Sequence, residues 1–193
     1  MLKQSIQNLT TRTNSYLKMN LLPSVRFHLH TTEWTGYVLI SIAGIFFITL
    51  ASMIFNMVEL KTETHEIQCL ATNIYYEARG EPLPGKYAVA IVTLNRVKSP
   101  DHPDDVCKVV YHQKWNAKNK RYTAAFSWTT ESHHGKIEQA AWREAIKIAK
   151  ETYHADVKSK AKDALFYHAD YVKPYWSINK VKITKIGRHI FYK

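Results

Sequence analysis

The stretch Thr35–Val58, TGYVLISIAGIFFITLASMIFNMV, runs for 24 residues without a charge. As an α-helix rising ~1.5 Å per residue it spans about 36 Å. A bilayer core is ~30 Å thick, so the stretch can cross it with some tilt. Buried helices of soluble proteins rarely run so far without a charged face, and Trp34 and Tyr37 stand where an interfacial aromatic belt belongs. A cleaved signal peptide fits less well: its apolar region is about 7–15 residues and precedes a small-x-small site. Here Asn56-Met57-Val58-Glu59-Leu60 follows instead. Lys3, Arg12, Lys18 and Arg26 precede the span against Glu33 alone, and Glu59, Lys61, Glu63 and Glu66 follow it. That asymmetry favours an inside N-terminus. The expected layout is a cytoplasmic tail over 1–34 and a transmembrane signal anchor over 35–58. A domain over 62–193 then lies in the periplasm or extracytoplasmic space, held to the cytoplasmic (inner) membrane by a single pass through the lipid bilayer.

Residues 59–193 carry 23 of the 27 Lys and Arg residues and 15 of the 16 acids, so the partner of this part is expected to be anionic. Only two cysteines occur, which excludes a disulfide-dense scaffold and a Cys-only zinc site. Over Thr62–Ala78 the apolar residues Ile67, Leu70, Ala71, Ile74, Tyr75 and Ala78 repeat with helical spacing. Thr62 or Thr64 is a candidate cap and Gly80 a candidate stop. Pro82, Pro84 and Gly85 read as a turn. Lys86–Val97 is apolar nearly all round, the pattern of a buried central helix. A short helix over Asp104–Tyr111 follows, then mostly loop over 113–135. Lys136–Tyr153 reads as an amphipathic helix, with Ile137, Ala141, Ala145, Ile148 and Ala149 facing inward. Ala164–His168, Val181–Ile186 and His189–Tyr192 read as short strands, with Gly187-Arg188 as a hairpin turn. Helices first and a small antiparallel sheet last make an α+β domain. Residues 1–33 show no pattern of a stable fold, and Pro23 interrupts them.

Two carboxylates follow the first exported helix, Glu77 and Glu81, within Tyr75-Tyr76-Glu77-Ala78-Arg79-Gly80-Glu81-Pro82. Glu77 falls in a last helical turn, where the carbonyl end of the dipole and apolar neighbours both disfavour its charged form. A raised pKa is what a general acid near neutral pH requires. By itself the pair is also compatible with ordinary solvated glutamates, with Arg79 pairing one of them.

More residues narrow the reading. Cys69-Leu70-Ala71, Asn73 through Pro82, Gly85, Ala88-Val89-Ala90 and Leu94-Asn95-Arg96-Val97 come in order. Pro103, Val106-Cys107, Val109-Val110-Tyr111, Phe126-Ser127-Trp128 and Ile186-Gly187-Arg188-His189-Ile190-Phe191 follow. This series, from about Glu66 to Lys193, resembles the SleB-type cell-wall hydrolases. The resemblance implies a mostly helical domain, lysozyme-like and resuscitation-factor-like, that cleaves the glycan strands of peptidoglycan, in the best-studied members as a lytic transglycosylase. It places the single catalytic glutamate at Glu77, acid first and base second. No second carboxylate is then required, because the sugar's 6-hydroxyl closes onto C1, unlike the general two-carboxylate scheme. Glu81 is the second carboxylate if water is the nucleophile.

Tyr75, Tyr76, Phe126, Trp128 and Trp176 are candidates to stack on sugar, although core packing is the commoner role of aromatics. Arg79, Asn95, Ser127 and His168 are candidates to bind substrate; His168 and His189, on expected strands, equally suit structural roles. Relatives often carry Cys around the Phe-Ser-aromatic motif, where this chain has Ala125 and Thr130. That leaves Cys69 and Cys107, bridged or free. Neither cofactor nor metal is expected: no HExxH, Walker motif or GxSxG elbow is present, and the adjacent His133 and His134 suit one metal poorly. Two rivals stay open, an N-acetylmuramoyl-L-alanine amidase on the same polymer and a non-catalytic wall-binding module. Lys114, Lys118, Lys120 and Arg121, with Trp115 and Tyr122, have the composition of a nucleic-acid stripe. An exported domain meets wall polymer instead, so peptidoglycan rather than nucleic acid is the expected partner.

Overall fold

The computed structural model describes residues 23–117, 120–131, 135–155 and 157–193. Residues 1–22 of the expected tail, Lys118, His133 and His134 lie outside the described residues. The chain divides into two units, residues 1–58 and 59–193.

Helix α1 (Pro23–Ala78) contributes to both. It begins on a proline, whose fixed φ and missing N–H suit a first helical position. The helix therefore covers 23–33, where the sequence pattern shows none, and Pro23 opens an element rather than interrupting a coil. It also runs unbroken through the junction at which a separate helix is expected to start. Val58-Glu59-Leu60-Lys61-Thr62 holds neither Gly nor Pro to stop it. Thr64 Oγ1 accordingly donates back to the Leu60 carbonyl at 2.8 Å instead of capping. One helix among the described residues is long and apolar enough to cross a membrane, this one. Its large apolar side chains from Tyr37 to Val58 are exposed.

The second unit is built around helix α2 (Leu83–Val97), buried at Ala88 through Thr93 and at Arg96. Pro82 caps it in extended conformation, so Pro84 and Gly85 belong to its first turn and not to a loop. That placement uses N–H groups that would be unpaired anyway. One side of α2 meets Leu70, Ile74 and Tyr75 of α1, Val106 and Val110 of α3 (Val106–Val110), and Ile148 and Ala149 of α4 (Gln139–His154). Its other side offers Ala88 and Val92 to Ala161, Ala164 and Phe191. A helix apolar all round has this consequence, with two small cores instead of one. Each fully buried large apolar side chain, such as Ile74 or Phe191, contributes about 1.5–3 kcal/mol.

The Asp105 side chain caps α3 by accepting the Lys108 N–H at 2.8 Å. Helix α4 starts at Gln139, after the expected Lys136, and Ile137 is 39% exposed rather than facing inward. Cys69 and Cys107 form a disulfide between α1 and α3. The expected loop over 113–135 contains an antiparallel hairpin of β1 (Gln113–Asn116) and β2 (Arg121–Ala124), then a 3₁₀ turn over Ser127–Thr130. The strands are exposed along most of their length, so no alternation of apolar and polar residues announces them. Strands β3 (Phe166–Ala169), β4 (Lys182–Ile186) and β5 (His189–Tyr192) form the expected antiparallel sheet, in the order β3-β5-β4. Gly187 turns the β4–β5 hairpin at φ +57°, a backbone conformation that strains residues bearing a Cβ.

Candidate active site

An open cleft of about 620 Å³ lies where the end of α1 meets the 3₁₀ turn and the β3–β5 edge. Tyr76, Glu77, Arg79, Ser127, Trp128, Glu131, Tyr167, His168, Tyr171 and His189 are among its lining residues.

Glu77 is the penultimate residue of α1 and is half-buried. Burial raises its pKa above the ordinary carboxylate value. A hydrogen bond from Tyr167 and the charge of Arg96 oppose that shift, while the charge of Glu131 adds to it. The Tyr167 hydroxyl donates to Glu77 Oε2 at 2.9 Å. Its own proton is held firmly, because burial first and then the neighbouring Glu77 push the phenol well above its ordinary value. Arg96 is fixed behind the carboxylate, its Nε donating to the Leu165 carbonyl at 2.8 Å and its guanidinium 5.1 Å from the Phe126 ring centre. Removing the phenol therefore has a signed consequence. Tyr167→Phe takes away the bond favouring the ionised form, so Glu77 should hold its proton to higher pH. The alkaline limb of a kcat/KM profile moves upward, and an unmoved limb would mean that Tyr167 does not tune Glu77.

The aromatic wall is held from below. Asn73, fully buried, donates from Nδ2 to Thr93 Oγ1 at 3.1 Å and accepts from Trp128 Nε1 at 3.0 Å. This bridge sets the Trp128 ring against Tyr76, stacked with centres 4.7 Å apart and planes 20° from parallel. Trp128 is only 7% exposed and belongs to the larger core as well as to the cleft lining, so it backs the half-buried Tyr76 ring. His168 closes the far side, its Nε2 2.9 Å from the Tyr192 hydroxyl and its Nδ1 2.9 Å from the Ala169 carbonyl.

Of the expected site residues, Glu77, Tyr76, Arg79, Ser127, Trp128 and His168 line one cleft. The others stand elsewhere. Tyr75 is buried in the core, its hydroxyl accepting from the Glu138 N–H at 3.0 Å and from Arg79 at 3.3 Å. Phe126 is core as well, under Arg96. Asn95 clamps the chain, donating from Nδ2 to the carbonyls of Lys162 and Ala164 at 2.7 and 2.9 Å. Trp176 sits against Phe166, His168 and Tyr192 without lining the cleft.

Glu81, the expected second carboxylate, does not line the cleft either. Its Oε2 accepts the Arg188 N–H at 2.9 Å, so it ties the start of α2 to the β4–β5 turn. The turn leaves no room for a side chain. A Cβ at Gly187 would stand 2.0 Å from Glu81 Oε2 and 2.8 Å from Pro82 Cδ. Gly187→Ala should cost about 2 kcal/mol or more, from the left-handed backbone and the displaced carboxylate together. A thermal melt checks it, and a loss below ~0.5 kcal/mol would show that the turn relaxes freely.

The carboxylate that shares the cleft with Glu77 is Glu131, exposed, immediately after the 3₁₀ turn. No motif singles it out; only the turn that follows Trp128 brings it there. Tyr167 and Arg96 are likewise absent from the expected site. Arg96 does stand inside the Leu94-Asn95-Arg96-Val97 motif, which was a usable signal.

The family model described as Cell Wall Hydrolase matches residues 80–192. The spore cortex-lytic enzyme of Oceanobacillus iheyensis is 33% identical over 132 residues, covering 67% of this chain and 42% of that protein. That of Bacillus subtilis is 30% identical over 128 residues, covering 66% and 37%. The chain thus spans less than half the length of these curated relatives. Among solved structures, the catalytic domain of the Bacillus cereus SleB protein matches at 29% identity and TM-score 0.49, over 67% of this chain and 91% of that one. The catalytic domain of the germination-specific lytic transglycosylase SleB from Bacillus anthracis matches at 30% identity and TM-score 0.46, over 66% and 93%.

Proposed function

The chain belongs to the cell wall hydrolase family, and on that premise we propose that it cleaves the glycan strand of peptidoglycan as a lytic transglycosylase with Glu77 as its acid and base. The observation that carries the proposal is Glu77 itself, a half-buried carboxylate with a raised pKa in an open cleft, beside a stacked aromatic wall. Protonated Glu77 gives its proton to the glycosidic oxygen leaving the muramic acid C1, and that C1–O bond breaks. The 6-hydroxyl of the same sugar bonds to C1, and its proton returns to the carboxylate. No water is consumed. Arg96 and the Tyr167 hydroxyl support the carboxylate while it is ionised, and Tyr76, backed by the buried Trp128, offers aromatic surface for a pyranose ring.

A second reading has its own support. Glu131 lines the same cleft in a more exposed setting, and two carboxylates in unlike environments suit water-consuming glycoside hydrolysis. Mass spectrometry of muropeptides released from purified sacculi, beside a Glu77→Gln control, separates the readings. Products ending in 1,6-anhydromuramic acid, absent with the variant, are expected. Reducing-end muramic acid would assign hydrolysis and promote Glu131. Free stem peptides with intact glycan would overturn glycan cleavage in favour of amidase chemistry.

We further propose that residues 35–58 anchor the chain in the cytoplasmic membrane, with 62–193 outside. Supporting this are the exposed apolar side chains of the helix and the basic residues ahead of it; lipid would cover what the protein leaves uncovered. Protease added outside intact cells should digest residues 62–193 only once the wall is opened. Protection that persists after opening would reverse the orientation.

A further inference from the structure

We propose that the β1–β2 hairpin is a second binding surface for the same glycan strand, holding the portion that runs out of the cleft beyond Trp128. The inference rests on the reading that the cleft takes peptidoglycan glycan.

Trp115 and Tyr122 are directly opposed across the hairpin. Opposed residues share a face of a two-stranded ribbon, and their rings meet edge to face, centres 5.2 Å apart. They are 55% and 65% exposed, so the core makes little use of them. Lys114 and Arg121 occupy the alternate positions, which places two cations on the opposite face of the same narrow ribbon. Among the described residues, neither cation is held in an ion pair.

The hairpin is continuous with the cleft wall. At its base the Ala125 N–H donates to the His112 carbonyl at 2.8 Å, closing the ribbon one residue past its last strand pair. The next turn carries Trp128, and Tyr111, 51% exposed just before β1, meets the Trp128 ring at 5.8 Å, near perpendicular. Ring contact therefore links Trp128 of the cleft lining, itself only 7% exposed, to the exposed Tyr111 beside the ribbon. The occupant's chemistry fits both faces. Sugar rings offer C–H surfaces to aromatic rings, and the stem peptides on alternate sugars carry carboxylates for Lys114 and Arg121.

A cross-strand aromatic pair also steadies a hairpin by itself, so binding must be measured apart from stability and from turnover. The full-length chain in detergent, carrying Glu77→Gln, is incubated with purified sacculi, and the bound fraction is read by sedimentation. Adding Trp115→Ala with Tyr122→Ala should weaken binding about tenfold. Trp115→Phe with Tyr122→Phe should restore most of it. Lys114→Gln with Arg121→Gln leaves the rings in place and should flatten the salt dependence. With active Glu77, the alanine pair should raise KM on intact sacculi and leave turnover of a two-disaccharide fragment unchanged, since the proposal has only longer strands reach the ribbon. Unchanged sacculus binding by the alanine pair and by the glutamine pair, or equal loss on long and short substrates, overturns the hairpin proposal even if muropeptides are released normally. Hairpin-dependent binding without any glycan product would instead sink the catalytic reading and leave the surface standing as a wall-binding site.

Discussion

Glu77→Gln should lower the rate of glycan cleavage by roughly 10²–10⁴-fold while leaving the fold in place. Glutamine keeps the size of the side chain and an oxygen to accept the Tyr167 hydrogen bond, but it has no proton to give a leaving sugar oxygen. The substitution also removes an ionisable group whose pKa burial raises in the folded chain. A carboxyl with a raised folded pKa binds protons more readily in the native than in the unfolded state. Its charge therefore costs stability, and the cost develops as pH rises from the unfolded carboxylate value through the higher folded one. Above that window Glu77→Gln should melt no lower than the parent, and below it the two should converge. Muropeptide release and thermal melts across pH test both halves. A variant that retains activity within a few-fold would remove Glu77 from the chemistry, and one that melts well below the parent would make its role structural.

Replacing Cys69 and Cys107 together by serine should cost about 4 kcal/mol. The bridge closes a segment of sequence separation 38, for which loop-closure entropy alone gives about that figure. It joins α1, which carries Glu77 at its end, to α3 across the larger core. Against a typical total of roughly 5–15 kcal/mol the loss is large. For a unit of this size it corresponds to a fall in Tm of roughly 10–20 °C. Reduction of the parent by dithiothreitol should reproduce the variant's melt. A fall under about 3 °C would show that packing between α1 and α3 holds the unit without the bridge.

Much of this protein was legible before folding is considered. Hydrophobic period exposes the apolar helix, the buried face from Ile67 to Ala78 and the central helix, because burial in each repeats along the chain. The last three strands and the Gly187 turn announce themselves instead by strand-forming residues bounded by turn residues. Glu77 was legible from its place in a last helical turn and from the motif around it.

What escaped is whatever depends on partners distant in sequence. The β1–β2 hairpin has no buried face to set a period. The helix boundary expected near Thr62 is a separate case with a local cause, since no residue there breaks a helix. Glu81 and Glu131 show the limit most clearly. Four residues from Glu77 and inside the same motif, Glu81 is drawn away by a backbone N–H 107 positions later. Glu131 lies outside every motif and reaches the cleft because the turn after Trp128 folds back onto α1. Sequence by itself determined which helices are apolar and on which side, and which glutamate ends the first of them, since those follow from local spacing and solvation. Only the tertiary structure decided which side chains share the cleft with that glutamate, because hydrogen bonds and ring contacts between distant segments set those positions.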